Sequence, residues 1–214
     1  MNIILASLHN QAYQPLGDIT WDQNKVPYGD LHEYAYCCKT TDFYGVPIGF
    51  EKIYFLRDLC ELHPWADWIW WTGCDAMITN FTIKVEDRVD NDYHFIIATD
   101  CNGINADSFF VRNSEQGRGF LNHIIGLMPK YLHDNWFEQQ AIIDNYENFK
   151  DIIKLVPQRL INSYDYKLYP TQSNIDKLGN CGQWETGDWL IHWPGTSLAH
   201  RLHLAQHYLT EVVK

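Results

Sequence analysis

The chain has 214 residues, a length at which one core is the default, since single cores grow to roughly 250 residues before a chain splits into domains. Apolar residues make up 46% and charged ones 20%, enough for a packed interior and too apolar for disorder. A formal net charge of −11 excludes the basic surface that DNA or RNA requires, while leaving room for a small anionic ligand held through a cation.

The chain opens on a strand-like run, Met1-Asn-Ile-Ile-Leu-Ala6, and residues 2–8 read as a first buried strand ending at Ser7-Leu8-His9-Asn10. No basic leader and no long apolar stretch precedes it, so neither secretion nor a membrane span is expected. A Pro-, Gly-, Asp- and Asn-rich passage to about Asp30 reads as loop. Leu31–Thr41 reads as helix. Ile48–Leu62 has a helical period through Ile53, Leu56, Leu59 and Cys60, stopped by His63-Pro64.

Trp65 to Asn80 is the most informative segment. Four tryptophans and an isoleucine lead into Asp75, then a second short apolar run follows. An apolar segment of this kind reads as a central strand of a parallel sheet. A carboxylate where it ends lies at the sheet's carboxyl edge, where open α/β sheets bind ligands. Such a charge is costly without compensation, and a divalent cation supplies it. The alternative for Asp75 is a turn or helix-capping role.

Tyr93–Thr99 is another buried strand, again ending in a carboxylate, Asp100, and Ser108–Arg112 a further one. Glu115–Lys130 and Trp136–Phe149 read as helices, Asp151–Val156 and Asp188–Trp193 as strands, and Ser197–Val213 as an amphipathic closing helix. Leu160–Gln183 has no clear period. Strands alternating with helices predict one α/β domain over residues 1–214 with a mainly parallel central sheet. Six cysteines without C-x-x-C spacing suggest neither a disulfide scaffold nor a zinc knuckle, and reduced thiols in a cytoplasmic protein are expected. His200, His203 and His207 can share a helix face, yet they lack a carboxylate at fixed spacing and read as a solvated face rather than a zinc site. Aromatics at 15% fit stacking on sugar rings, although a Trp-rich core explains most of them.

Several segments together resemble glycosyltransferase family 34, the galactosyl-, mannosyl- and xylosyltransferase group with a GT-A fold. Trp68-Ile-Trp-Trp-Thr-Gly-Cys-Asp75-Ala-Met-Ile-Thr is similar to the family's Trp-Ile-Trp-Trp-x-Asp-x-Asp-Ala-x-x-Thr. Ile104-Asn-Ala-Asp-Ser-Phe-Phe-Val-Arg-Asn113 is similar to its Asn-x-Gly-x-Phe-x-x-Arg-Asn, and Asp188-Trp-Leu-Ile-His-Trp-Pro-Gly195 to its closing His-x-x-Gly. Trp136-Phe-Glu-Gln-Gln-Ala141 is similar to the family's Asp-Gln segment before a helix.

The resemblance implies a metal-dependent, configuration-retaining glycosyltransferase using Mn²⁺ or Mg²⁺, a nucleotide diphosphate sugar donor and a glycan or other hydroxyl acceptor. It implies Asp75 and His192 as metal ligands, and Gly195 beside the diphosphate. Asn105, with Asp100 and Asn102, would face the donor sugar, and Glu138 and Gln139 would line the reaction centre. Ser7, at the end of the first strand, completes the expected substrate-binding set. Three departures stand out. Gly73 replaces the motif's first aspartate, Asp107 replaces a glycine and is expected to bond a sugar hydroxyl, and Ser197 stands where a lysine is common, with His200 or Arg201 as substitutes. These departures leave open a second reading, a non-catalytic sugar- or nucleotide-binding protein derived from such an enzyme. A hydrolase using Asp75 and Asp100 is a remoter third.

Overall fold

The computed structural model describes residues 1–214. In chain order the elements are β1 (Ile3–Leu8), α1 (Gln14–Gly17), α2 (Val26–His32), β2 (Ala35–Lys39), α3 (Ile48–Leu62), β3 (Trp68–Thr72), β4 (Ala76–Ile78), β5 (Phe95–Thr99) and β6 (Ile104–Arg112). They continue with α4 (Glu115–Tyr131), α5 (Phe137–Phe149), β7 (Ile153–Val156), α6 (Gln158–Ile161), β8 (Ser163–Tyr164), β9 (Leu190–His192) and α7 (Leu198–Leu209). A six-stranded sheet has the order β2-β1-β3-β6-β5-β7, parallel throughout except for β6. A three-stranded sheet, β4-β9-β8, sits beside it.

Strand alternation divides the tryptophan run between two layers. Ile69 and Trp71 point into the cluster formed with α3, α4 and α5, whereas Trp68 and Trp70 join the opposite cluster. There Trp189 stacks on Trp70, with ring centroids 4.3 Å apart, and lies almost parallel to Phe110. Because Trp189 immediately precedes β9, this stack pins the small sheet to the large one. Trp65, at the start of the run, is exposed.

Two expectations fail near the amino terminus. Residues 11–32 are helical rather than loop, running from a 3₁₀ turn through α1, a π-helical segment at Asp18–Lys25 and α2. Pro15 and Pro27 fall in the first turns of α1 and α2, where a missing N–H costs nothing. Polar residues here are bonded into the small sheet: Asn24 Nδ2 donates to the Ile78 carbonyl while its Oδ1 accepts from the Ile78 N–H, both at 2.8 Å. Residues 35–39 are the edge strand β2, not helix, because Glu33 ends α2 in a left-handed conformation and β1 offers a free edge. The closing helix stops at Leu209.

Trp189→Ala empties a stacked, fully enclosed volume, and it is expected to cost about 3–5 kcal/mol. Urea unfolding will report this as a lower midpoint at unchanged slope.

Candidate active site

β3 ends at Thr72, and the chain turns through Gly73-Cys74-Asp75 to enter β4. This turn carries the chain from the large sheet to the small one and is held from beneath by a buried lysine. Lys25 Nζ donates to the carbonyls of Gly73 at 3.1 Å and Ala76 at 2.5 Å. Burial lowers the Lys25 ammonium to about 8, against the opposing pull of Cys74, Asp107, Cys38 and Asp75.

β4 pairs antiparallel with β9 so that Ala76 faces His192, and Trp193 N donates to the Asp75 carbonyl at 3.1 Å. Two residues far apart in sequence thereby share one corner. His192 Nε2 lies 3.7 Å from Asp75 Oδ2 and 3.2 Å from Asp107 Oδ2, and the three donor groups all lie within 4.8 Å of one another. Arg201, from α7, places Nη2 2.6 Å from Asp75 Oδ2. Burial raises the Asp75 carboxyl, but His192 and Arg201 more than offset it and hold the group at about 2. Asp107 shifts the other way: desolvation and the Asp75 charge outweigh the pull of His192. Burial lowers the His192 imidazole, yet Asp107 and Asp75 leave it raised on balance.

Does this corner suit a divalent cation? Donors in neighbouring positions of one octahedral ion lie about 3 Å apart when bonds are about 2.1 Å. The separations of 3.2 and 3.7 Å are close to that. Asp107 Oδ2 is buried and accepts no hydrogen bond, so its lone pairs remain for a ligand. Two carboxylates and an imidazole form a donor set that accommodates Mn²⁺ or Mg²⁺. The residues fit.

The imidazole is also oriented. His192 Nδ1 lies 3.0 Å from Asn162 Oδ1, while Asn162 Nδ2 donates to Asn105 Oδ1 at 2.8 Å. With the Asn162 amide in that sense, Nδ1 carries the hydrogen and Nε2 keeps its lone pair for a cation. Behind this, Asn105 Nδ2 donates to Asp100 Oδ2 and Tyr164 Oη, and Tyr164 Oη donates to Asp100 Oδ2 at 2.9 Å. Asp100 Oδ1 accepts from the N–H groups of Asn102 and Gly103. Asp100 and Asn105 thus lie in a buried relay behind His192.

Asp75 and Asp107 line a cleft of about 530 Å³ together with Leu8, His9, Asn10, Lys52, Trp136, Glu138, Gln139 and Arg201. Glu138 is buried and pairs with Lys52 at 2.6 Å, and Lys52 also donates to the Ala106 carbonyl. Gln139 Oε1 accepts from Ala106 N at 2.9 Å, beside Asp107. Of the remaining expected residues, Ser7 is buried beneath the cleft with an unpartnered hydroxyl. Asn102 is exposed on the turn after β5. Gly195 is exposed after β9 and needs glycine for its positive φ of 68°. His200, His203 and His207 face solvent. Lys25, Lys52, Asn162 and Tyr164 carried no signal in the sequence, because each acquires meaning only from what it touches.

Among solved structures, this chain is similar to a glycosyltransferase involved in glycosylating the major capsid protein of PBCV-1. The TM-score is 0.75 at 14% identity, covering 97% of this chain and all of that one. It is also similar to the galactosyltransferase LgtC bound to donor and acceptor sugar analogs, with a TM-score of 0.57 at 12% identity over 100% and 97% of the two chains. These likenesses define a GT-A fold. A profile of the galactosyl transferase GMA12/MNN10 family matches residues 3–91 and 90–203, and the chain belongs to that family. An alpha-1,2-galactosyltransferase of Schizosaccharomyces pombe is 28% identical over 89% of this chain and 60% of its own length. The chain spans about 54–61% of the length of the first such relatives. No helix is long and apolar enough to cross a membrane, and all six cysteines are free.

Two outcomes are expected. Asn162→Ala removes the partner that fixes the His192 tautomer and should weaken Mn²⁺ binding by about 10–100-fold, measured by calorimetry. A proton on His192 competes with the cation, and its pKa is raised above the ordinary value of 6.5. Mn²⁺ affinity should therefore rise as pH increases through that raised value and fall below it. Titrations from pH 6 to 9, compared with His192→Ala, in which the dependence should flatten, check the sign.

Proposed function

We propose that this protein is a metal-dependent, configuration-retaining glycosyltransferase. In this reading it moves a hexose or pentose from a nucleotide diphosphate sugar to a hydroxyl of a glycan acceptor. The observation that carries the reading is that the β4–β9 register brings the buried His192 up against Asp75, which lines the cleft.

Asp75 and His192 would hold the cation, which supplies Lewis-acid neutralisation of the departing diphosphate when bound. Arg201 stands next to them with a planar guanidinium suited to phosphate oxygens, and takes the part that a lysine at position 197 would play. Lys52 fixes Glu138 in place where the cleft meets α5. Gln139 spends its carbonyl on Ala106, while its Nε2 makes no hydrogen bond within the chain and is free to donate to a sugar hydroxyl or ring oxygen. Trp136, exposed at the rim, offers an aromatic face for an acceptor sugar.

The test is nucleotide diphosphate release from galactose, mannose and xylose donors with Mn²⁺, against the same reactions with EDTA. Asp75→Ala is expected to lower kcat/KM by about 100-fold or more, the scale of losing one charge-stabilising group at a reacting centre. Turnover that is indifferent to both EDTA and Asp75→Ala would discard the assignment. Donor binding with no turnover on any acceptor would favour the non-catalytic reading, which Gly73 and Ser197 motivate and to which the Arg201–Asp75 ion pair adds a contact.

A further inference from the structure

We propose that Asp107 is the second carboxylate of the cation site, and that it supplies from β6 a group which this chain lacks at position 73. The inference rests on the reading that Asp75 and His192 hold a cation, and adds a ligand and an exchange rule to it.

Gly73 and Asp107 face each other across the β3–β6 pair. The ladder runs through Thr72 opposite Ser108 and continues with Gly73 N donating to the Asp107 carbonyl at 3.0 Å. A Cβ built on Gly73 would meet Asp107 Oδ1 at 2.4 Å, Oδ2 at 2.5 Å and Cγ at 2.7 Å. Side-chain carbons do not approach that closely, so the Asp107 carboxylate occupies the volume in which a side chain at 73 would begin. The backbone itself does not require glycine here. Gly73 is not among the glycines with positive φ, unlike Gly103 or Gly195. Space, rather than conformation, accounts for its missing side chain.

The group filling that space is suited to a ligand's task. Asp107 Oδ2 accepts no hydrogen bond, and it lies 3.2 Å from the His192 Nε2 that Asn162 orients. Its own backbone N–H is fixed by Asn105 Oδ1 at 3.0 Å, which ties it to the same relay. Positions 73 and 107 therefore compete for one volume: a side chain at 73 requires the Asp107 carboxylate to move from where it stands.

The experiment measures Mn²⁺ uptake by electron paramagnetic resonance, with and without inorganic pyrophosphate, so that no donor base needs to be known. Circular dichroism and thermal melting accompany each variant. Asp107→Asn, nearly isosteric, and Asp107→Gly are both expected to weaken uptake by about 100-fold or more, at least the loss typical of outer-shell partners. Gly73→Asp alone should lower the melting midpoint without strengthening uptake. The double variant Gly73→Asp/Asp107→Gly should return Mn²⁺ affinity to within about tenfold of the original, a recovery that a structural role for Asp107 would not give.

Unchanged uptake by Asp107→Asn would overturn the proposal while leaving the Asp75–His192 reading intact. A folded double variant no better than Asp107→Gly would overturn the exchange rule. Failure of the unmodified protein to take up Mn²⁺ under either condition would bring down the cation reading and this inference together.

Discussion

Everything at the site depends on the short ladder between β4 and β9. Ala76 faces His192, Met77 faces Ile191 and Ile78 faces Leu190. A strand slipped by one residue turns every side chain to the other face, so this register decides whether Asp75 and the imidazole share a corner. Three independent restraints hold it. Trp189 packs against the neighbouring aromatic rings of β3 and β6, Asn24 bonds both polar groups of Ile78, and Lys25 draws in the carbonyls that flank Asp75. Side chains outside the corner thus determine where Asp75 and His192 stand.

The relay from Asp100 to His192 shows the same division of labour on the opposite side. Each polar group is buried, and each finds a partner: Asp100, Asn105, Tyr164 and Asn162 pass hydrogen bonds along to the ring. Buried networks of this kind rigidify when fully satisfied and are costly when broken. Burial pushes the Tyr164 phenol well above its ordinary range, and the neighbouring Asp100 carboxylate adds to the effect, so it remains a hydrogen donor.

What could be read from the sequence was whatever a local pattern dictates. The apolar runs of β1, β3 and β5 and the periodic α3 and α4 are legible because each buries a face whose spacing is set by its own geometry. Asp75 and His192 were legible as strand-end residues in a motif context. The amino-terminal helices were not, because Thr20, Asn24 and Lys25 are polar residues made acceptable only by partners in the 73–79 segment. Strand β2 was misread as helix for a related reason: as a half-exposed edge, it lacks the apolar run that marked its neighbours. Asp100 and Asn105 are visible as part of a polar cluster but not as a support for a ring far along the chain. Asn162 and Tyr164 lie in a stretch with no period at all.

Counting charge around the cleft gives one more consequence. Asp75, Asp107 and Glu138 line it with three acidic groups and Lys52 and Arg201 with two basic ones, while Lys25, buried behind the Gly73–Ala76 turn, supplies a third positive group. With the imidazole neutral, the pocket is balanced before anything enters it. A doubly charged ion arriving alone leaves an uncompensated excess in a poorly screened place, and so does a diphosphate arriving alone with the opposite sign. Each relieves the other. On the proposed reading, cation and diphosphate would therefore be thermodynamically coupled, each raising the affinity for its companion by the same factor.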